Sequence, residues 1–199
     1  MWIRHLPADY YKQQSDFDNL VFLWKTNNVY VMDNHLAAAW CWMQECDADT
    51  RYNFMHIDRH NDLGTNTPFD IYRHIKDNQH LSIDEYTNLS WTNEGNGISL
   101  KAFRWDNYIT QCMYLFPQWF WDVVYSTRTS LGRSEREKLL GATIQSVSAA
   151  KLLSYIENNL QVDEDGEQLN RIIGKGSVKW IVNLDLDYFY ESNDDGFFQ

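Results

Sequence analysis

Cations are scarce in this chain: of its 199 residues 17 are Lys or Arg against 28 Asp or Glu, a formal charge of −11. A field of that sign repels polyanions, so nucleic acid and anionic membrane are excluded as expected partners. Proline and glycine are also few, 3 and 9, and no repeat or low-complexity tract occurs, which excludes collagen-like and linker-rich chains. The three cysteines, Cys41, Cys46 and Cys112, are an odd set without C-x-x-C spacing. A disulfide scaffold and a structural zinc site are thereby excluded, and reduced core or surface thiols are expected. No apolar run approaches the roughly 18 residues of a spanning helix, and the N-terminus lacks the basic, apolar, small-residue order of a secretory signal. The expectation is a soluble, cytoplasmic protein.

What is present is a core: 44% of residues are hydrophobic and 16% aromatic, enough for one globular domain over residues 1–199. The segment NLVFLWKTNNVYVMD holds two β-rich runs around Thr26-Asn27-Asn28, which predicts a hairpin or neighbouring strands. After it, HLAAAWCWMQEC has helical composition, with Asn34 placed to cap a helix through about Cys46. YNFMHID predicts a strand feeding a loop over 61–68. The Trp-rich stretch from about 71 to 130 follows neither period and reads as mixed helix and loop, with Thr92 to Gly97 a turn. SEREKLLGATIQSVSAAKLLSYIENNL, opening on Ser134 and Glu137, predicts one long helix. VKWIVNLDLDYF predicts a continuous apolar strand, and the C-terminal YESNDDGFFQ a solvated end.

Three β runs end in Asp and His: Val31-Met32-Asp33-Asn34-His35, Ile57-Asp58-Arg59-His60-Asn61-Asp62 and Asn183-Leu184-Asp185-Leu186-Asp187. In an extended chain alternate residues share a face, so Asp58, His60 and Asp62 should converge, as should Asp185 and Asp187. Gathered carboxylates repel and resist desolvation, and a bound cation relieves both costs. Oxygen donors with a minority of imidazoles and no thiol suit Mn²⁺, with Fe²⁺, Co²⁺ or Ni²⁺ as alternatives. Six candidate ligands suit two ions about 3.5 Å apart. Taken singly, Asp33-x-His35 reads as a turn with a helix cap, and Asp187 as a turn residue.

In order and strand context, Asp33-Asn34-His35, Asp58-Arg59-His60-Asn61-Asp62 and Asp185-Leu186-Asp187 resemble the metal motifs of the arginase-like (ureohydrolase) superfamily. They resemble especially the divergent branch containing the peptide arginases, which convert peptidyl arginine to ornithine with release of urea. The likeness covers the metal-bearing segments and leaves the Trp-rich middle unmatched. It implies an α/β fold, a three-layer arginase-like domain with a mainly parallel sheet flanked by helices. It further implies two Mn²⁺, one held by His35, Asp58, Asp62 and Asp185 and the other by Asp58, His60, Asp185 and Asp187. Asp33 becomes a residue that orients a ligand imidazole or the strand end. Asp62 aims the attacking water, and His74, with His80 as a second candidate, delivers a proton to the leaving amine. His56, on the strand face of Asp58, either lines the cleft or is a hydrogen-bonded core histidine.

The chain also departs from the family pattern. Val31-Met32 replaces the usual Gly-Gly before the first Asp-His motif, and only Tyr188 to Gln199 follow the last Asp-x-Asp. The expectation is either a compact version of the fold or a chain lacking a C-terminal portion. The acid that clamps the guanidinium is unassigned among Glu94, Glu191, Asp194 and Asp195. The expected partner is an arginine-containing precursor peptide, for which Trp119, Phe120 and Trp121 offer a groove unless they are core, or else a free guanidino compound such as arginine or agmatine. A noncatalytic metal- or peptide-binding module is the alternative of a different class. A metal-dependent phosphoesterase ranks last, because Arg59 and Asn61 are its only obvious phosphate clamps.

Overall fold

The computed structural model describes residues 1–10, 18–64, 69–77, 80–128, 131–132, 139, 143–159 and 179–189. The chain divides into two compact units, the first formed by Met1–Ala48 with Asp62–Pro117 and the second by Asp49–Asn61 with Gln118–Gln199.

The first unit opens with a three-stranded antiparallel sheet in the order β1 (Trp2–Arg4), β2 (Leu23–Thr26), β3 (Val29–Met32). The expected hairpin is β2–β3, with Leu23 opposite Met32 and Thr26 opposite Val29. Asn27 turns it at φ 48°, a left-handed value that Asn tolerates better than most residues. Beyond β3 the Asn34 side chain accepts the Leu36 N–H and caps a 3-10 turn, His35–Ala37, which runs into α1 (Ala38–Glu45). The predicted cap and the end near Cys46 are both observed. Three further helices follow: α2 (Phe69–Asp77), α3 (Ile83–Asn88) and α4 (Tyr108–Leu115). Ser82 and Glu85 form a reciprocal capping box at the start of α3. The predicted turn at Thr92 to Gly97 joins a small hairpin, β5 (Ser90–Thr92) to β6 (Ser99–Lys101). Leu36, Ile75, Tyr86, Ile109 and Met113 are among this unit's fully buried side chains.

The second unit is α/β. Its sheet is parallel throughout, in the order β8 (Thr143–Ser146), β7 (Asp122–Thr127), β4 (Tyr52–Asp58), β9 (Lys179–Leu184). All seven β4 residues are buried, as an inner strand of a parallel sheet requires. Met55 and Ile57 join Val124, Val147, Leu152 and Tyr188 in a cluster packed by Tyr155 and Ile156 of α5 (Ala149–Asn159). On the alternate face Phe54 meets Phe120 at 5.1 Å, and His56 meets Tyr125 edge-on at 5.1 Å.

Three expectations are corrected. Within the span of the long helix expected from Ser134, the described elements are β8 and then α5. Thr143 and Ile144 are β-branched and pair with Asp122 and Val123 of β7, and α5 starts at Ala149; residues 133–138 and 140–142 lie outside the described ones. The middle stretch is not only helix and loop, because DVVYST within it is β7, the strand beside β4. The run at 179–184 is not buried on both faces: Val182 and Leu184 are half exposed while Ile181 and Asn183 are buried.

Candidate metal centre

In a parallel sheet the carboxyl ends of neighbouring strands lie on one edge, where α/β folds place ligands. Here β4 ends on Asp58, and β9 pairs with it so that His56 faces Asn183 and Ile57 faces Leu184. The Asp185 N–H continues the ladder by donating to the Ile57 carbonyl at 2.9 Å. The chain then tightens into a 3-10 turn, Leu186–Phe189, whose first turn Asp185 caps by accepting the Asp187 N–H at 3.1 Å. On the β4 side the chain bends at Arg59 and His60, and Asp58 Oδ1 accepts the His60 N–H at 2.7 Å.

These two turns bring together Asp58, His60 and Asp187, whose donor atoms all lie within 4.8 Å of one another. His60 Nδ1 is 3.6 Å from Asp58 Oδ1 and 3.4 Å from Asp187 Oδ2. Asp187 Oδ1 also accepts the Arg59 N–H at 3.4 Å. The arginase-like resemblance implies these three as part of one ligand set. The alternation expected to align Asp58 with His60, and Asp185 with Asp187, does not operate, because β4 stops at Asp58 and Asp187 sits in a 3-10 turn. Strand register and two bends bring the three together.

The donor set fits a hard divalent ion. Adjacent ligands of an octahedral ion at about 2.1 Å are about 3 Å apart, close to the two observed spacings. Two carboxylates and one imidazole suit a first-row divalent ion in type. Asp58 is fully buried while His60 is 49% exposed, so the cluster is anchored on one side and open to water on the other.

His35 and Asp62 belong to the first unit. His35 Nε2 lies 3.7 Å from Asp62 Oδ2, which accepts the Tyr108 hydroxyl at 3.0 Å. The His35 ring stacks with Tyr108 (5.2 Å, 22°) and Trp105 (6.4 Å, 29°). Asp62 is buried at φ 50°, a left-handed conformation costing roughly 1–2 kcal/mol. Two residues on, the Gly64 N–H donates to the Asp106 carbonyl at 2.6 Å, and a Cβ on Gly64 would meet that oxygen at 2.6 Å. The β3 run, expected to share the ligand-bearing sheet, lies in the antiparallel one. Asp33 ties that sheet's strand ends, its carboxylate accepting the Val21 and Phe22 N–H groups at 3.0 and 2.8 Å.

The proton-shuttle candidates are on the surface of the first unit: His74 on an exposed position of α2, His80 in a turn before α3. Neither joins a metal-type group among the described residues. Glu94 is exposed in the β5–β6 turn, and Glu191, Asp194 and Asp195 lie outside the described residues. Trp119 and Phe120 are core, and Trp121 is half exposed beneath the Arg51 guanidinium at 4.0 Å. Burial pushes the Cys41 and Cys112 thiols up, so neither is a ready nucleophile. Sequence reasoning missed Asn183 and Tyr108; the signal for Asn183 was a lone amide inside an apolar strand two positions before Asp185. No family model, curated protein or solved structure matches the chain. Among the described residues no helix is long and apolar enough to cross a membrane.

Proposed function

We propose that this protein is a binuclear manganese hydrolase of guanidino groups, with arginine inside a peptide as the favoured substrate and urea and ornithine as products. The observation that carries the reading is the meeting of Asp58, His60 and Asp187, residues of two separate motifs, with donor atoms within 4.8 Å of one another. Those motifs resemble the arginase-like pattern in residue type, spacing and order. The reading extends to a three-layer arginase-like architecture and to His35, Asp62 and Asp185 as further ligands. For His35 and Asp62 it rests on the motifs alone.

A bound divalent ion supplies Lewis acidity, the means by which water becomes a nucleophile at neutral pH. The chain's own residues have separable tasks. Asp58 brings a desolvated negative charge, and Asp187 brings a second from the adjoining strand end. His60 presents its ring at the exposed side, where a substrate arrives. A net charge of −11 favours capture of cationic guanidinium compounds.

The test is urea release from the Mn²⁺-loaded protein given either free arginine or a peptide containing it. Urea from the peptide alone supports the favoured substrate, and urea from arginine alone shifts the reading to a free-guanidino ureohydrolase. No urea from either, with two Mn per chain by elemental analysis, leaves a binding module. No retained metal ends the reading.

A further inference from the structure

His56 is fully buried two residues before Asp58, and both of its ring nitrogens are engaged. Nδ1 lies 3.1 Å from Asn183 Nδ2, and Nε2 lies 3.1 Å from the main-chain carbonyl oxygen of His60. An amide nitrogen only donates and a carbonyl only accepts, so the partners assign one state: a neutral ring with its proton on Nε2. Nε2 also lies 3.7 Å from Asp58 Oδ2. The carbonyl that the ring holds belongs to the residue whose side chain faces Asp58 and Asp187.

The bend after β4 is short and irregular, and Asp58 Oδ1 fixes it from one side through the His60 N–H. His56 fixes it from the other through the His60 carbonyl. The ring is in turn held by Asn183 on β9, its register partner, and by Tyr125 on β7 against its edge. Three adjacent strands therefore converge on one imidazole whose hydrogen bond ends on the His60 main chain.

We infer that His56 is a positioning residue: a neutral strut between Asn183 and the His60 carbonyl that sets the bend placing His60 Nδ1 against Asp58 and Asp187. The inference rests on the metal-site reading for its consequence, while the strut itself is defined by contacts within one unit. Groups that hold a ligating residue in place typically cost about 10–100-fold in metal affinity when removed.

The experiment uses the full chain. Mn²⁺ affinity is measured by isothermal titration calorimetry for the native protein and for H60A, H56F, H56Q and N183L. Exchange of the His60 amide is followed by NMR without metal. H56F keeps an aromatic ring and loses both hydrogen bonds; it is expected to bind Mn²⁺ about tenfold or more weakly and to exchange the His60 amide at least tenfold faster. H56Q, with one donor and one acceptor, is expected to recover most of both. A folded H56F with native affinity and native exchange overturns the inference, and so does an H56Q no better than H56F. If H56F fails to fold, N183L decides: ring nitrogen signals that leave the single Nε2–H form, with weakened Mn²⁺ binding, support the strut, and unchanged signals with unchanged affinity overturn it. Should the native protein and H60A bind Mn²⁺ equally, the metal reading falls, and the metal-free exchange rates still judge the strut.

Discussion

The two units place their acids by different means. In the second, Asp58 and Asp187 are placed by strand register: a parallel ladder fixes β9 against β4, and each strand ends in a bend where an aspartate carboxylate accepts the N–H two residues on. In the first, His35 and Asp62 are set by side chains, through an Asn34 cap, a Tyr108 hydroxyl, stacked rings and a left-handed Asp62. A ladder resists single side-chain changes, whereas a side-chain assembly is only as firm as its weakest member. The second unit should therefore lose ion binding mainly by loss of a ligand or of a strut, and the first should be sensitive to substitutions that touch no ion.

The largest effect is expected from Asp58→Asn. The amide keeps an oxygen for the His60 N–H but removes a fully buried charge, so Mn²⁺ binding should weaken by about 100-fold or more. The metal-free urea midpoint should stay level or rise, because a fully buried charge has gone while the His60 N–H keeps an acceptor. Native Mn²⁺ affinity in that variant would show that Asp58 is not a ligand.

Gly64→Ala comes next. Its new methyl group meets the Asp106 carbonyl oxygen at 2.6 Å, backbone against backbone, and overpacking of this kind costs about 1–3 kcal/mol. Urea denaturation reads it, and an unchanged midpoint would refute the close approach. Tyr108→Phe and Tyr188→Phe then compare the units directly. The first removes the hydroxyl that donates to the buried Asp62 carboxylate and should cost about 1.5–3 kcal/mol. The second removes a neutral bond to Ser126 Oγ at 2.8 Å and should cost about 1 kcal/mol. A larger loss from Tyr188→Phe would reverse the contrast drawn above.

The smallest effect is electrostatic. The Lys25 ammonium and the Tyr30 hydroxyl beside Glu45 hold its carboxyl below the usual range. A lowered folded value means stability that is present above the unfolded pKa of about 4.3 and lost as pH falls through the folded one. Glu45→Gln should thus cost a few tenths of a kcal/mol at pH 7 and nothing near pH 2, the range of exposed pairs. A cost that persists at pH 2 would assign the effect to packing.

Much of the local structure was legible. The Asn27 turn, the Asn34 cap and the β4 strand each follow from a few residues whose chemistry favours one solution. The site was legible in its members and not in its geometry. Asp58, His60 and Asp187 belong to the ligand set that the resemblance implies, but alternation along a strand, which groups Asp58 with His60 and Asp185 with Asp187, says nothing of how the two motifs meet; only register with a strand more than a hundred residues away brings them together. β7 was missed because Trp119, Phe120 and Trp121 precede it and blur its period. The long helix failed for a related cause: KLLGATIQS carries helical spacing, yet Thr143 and Ile144 find a waiting edge on β7. His56 stood undecided between cleft and core because its two partners, a carbonyl four residues on and an amide 127 residues on, are fixed only once the sheet exists.

That last separation bears on biosynthesis. The seven-residue β4 leaves the ribosome well before either neighbour, and at about 5–20 residues per second Asn183 follows His56 by roughly 6–25 s. Until then a strand that ends up buried along its whole length lacks one of its two neighbours. Yield during expression should therefore respond to translation speed and to holdase chaperones more steeply than the stability of the finished protein would suggest.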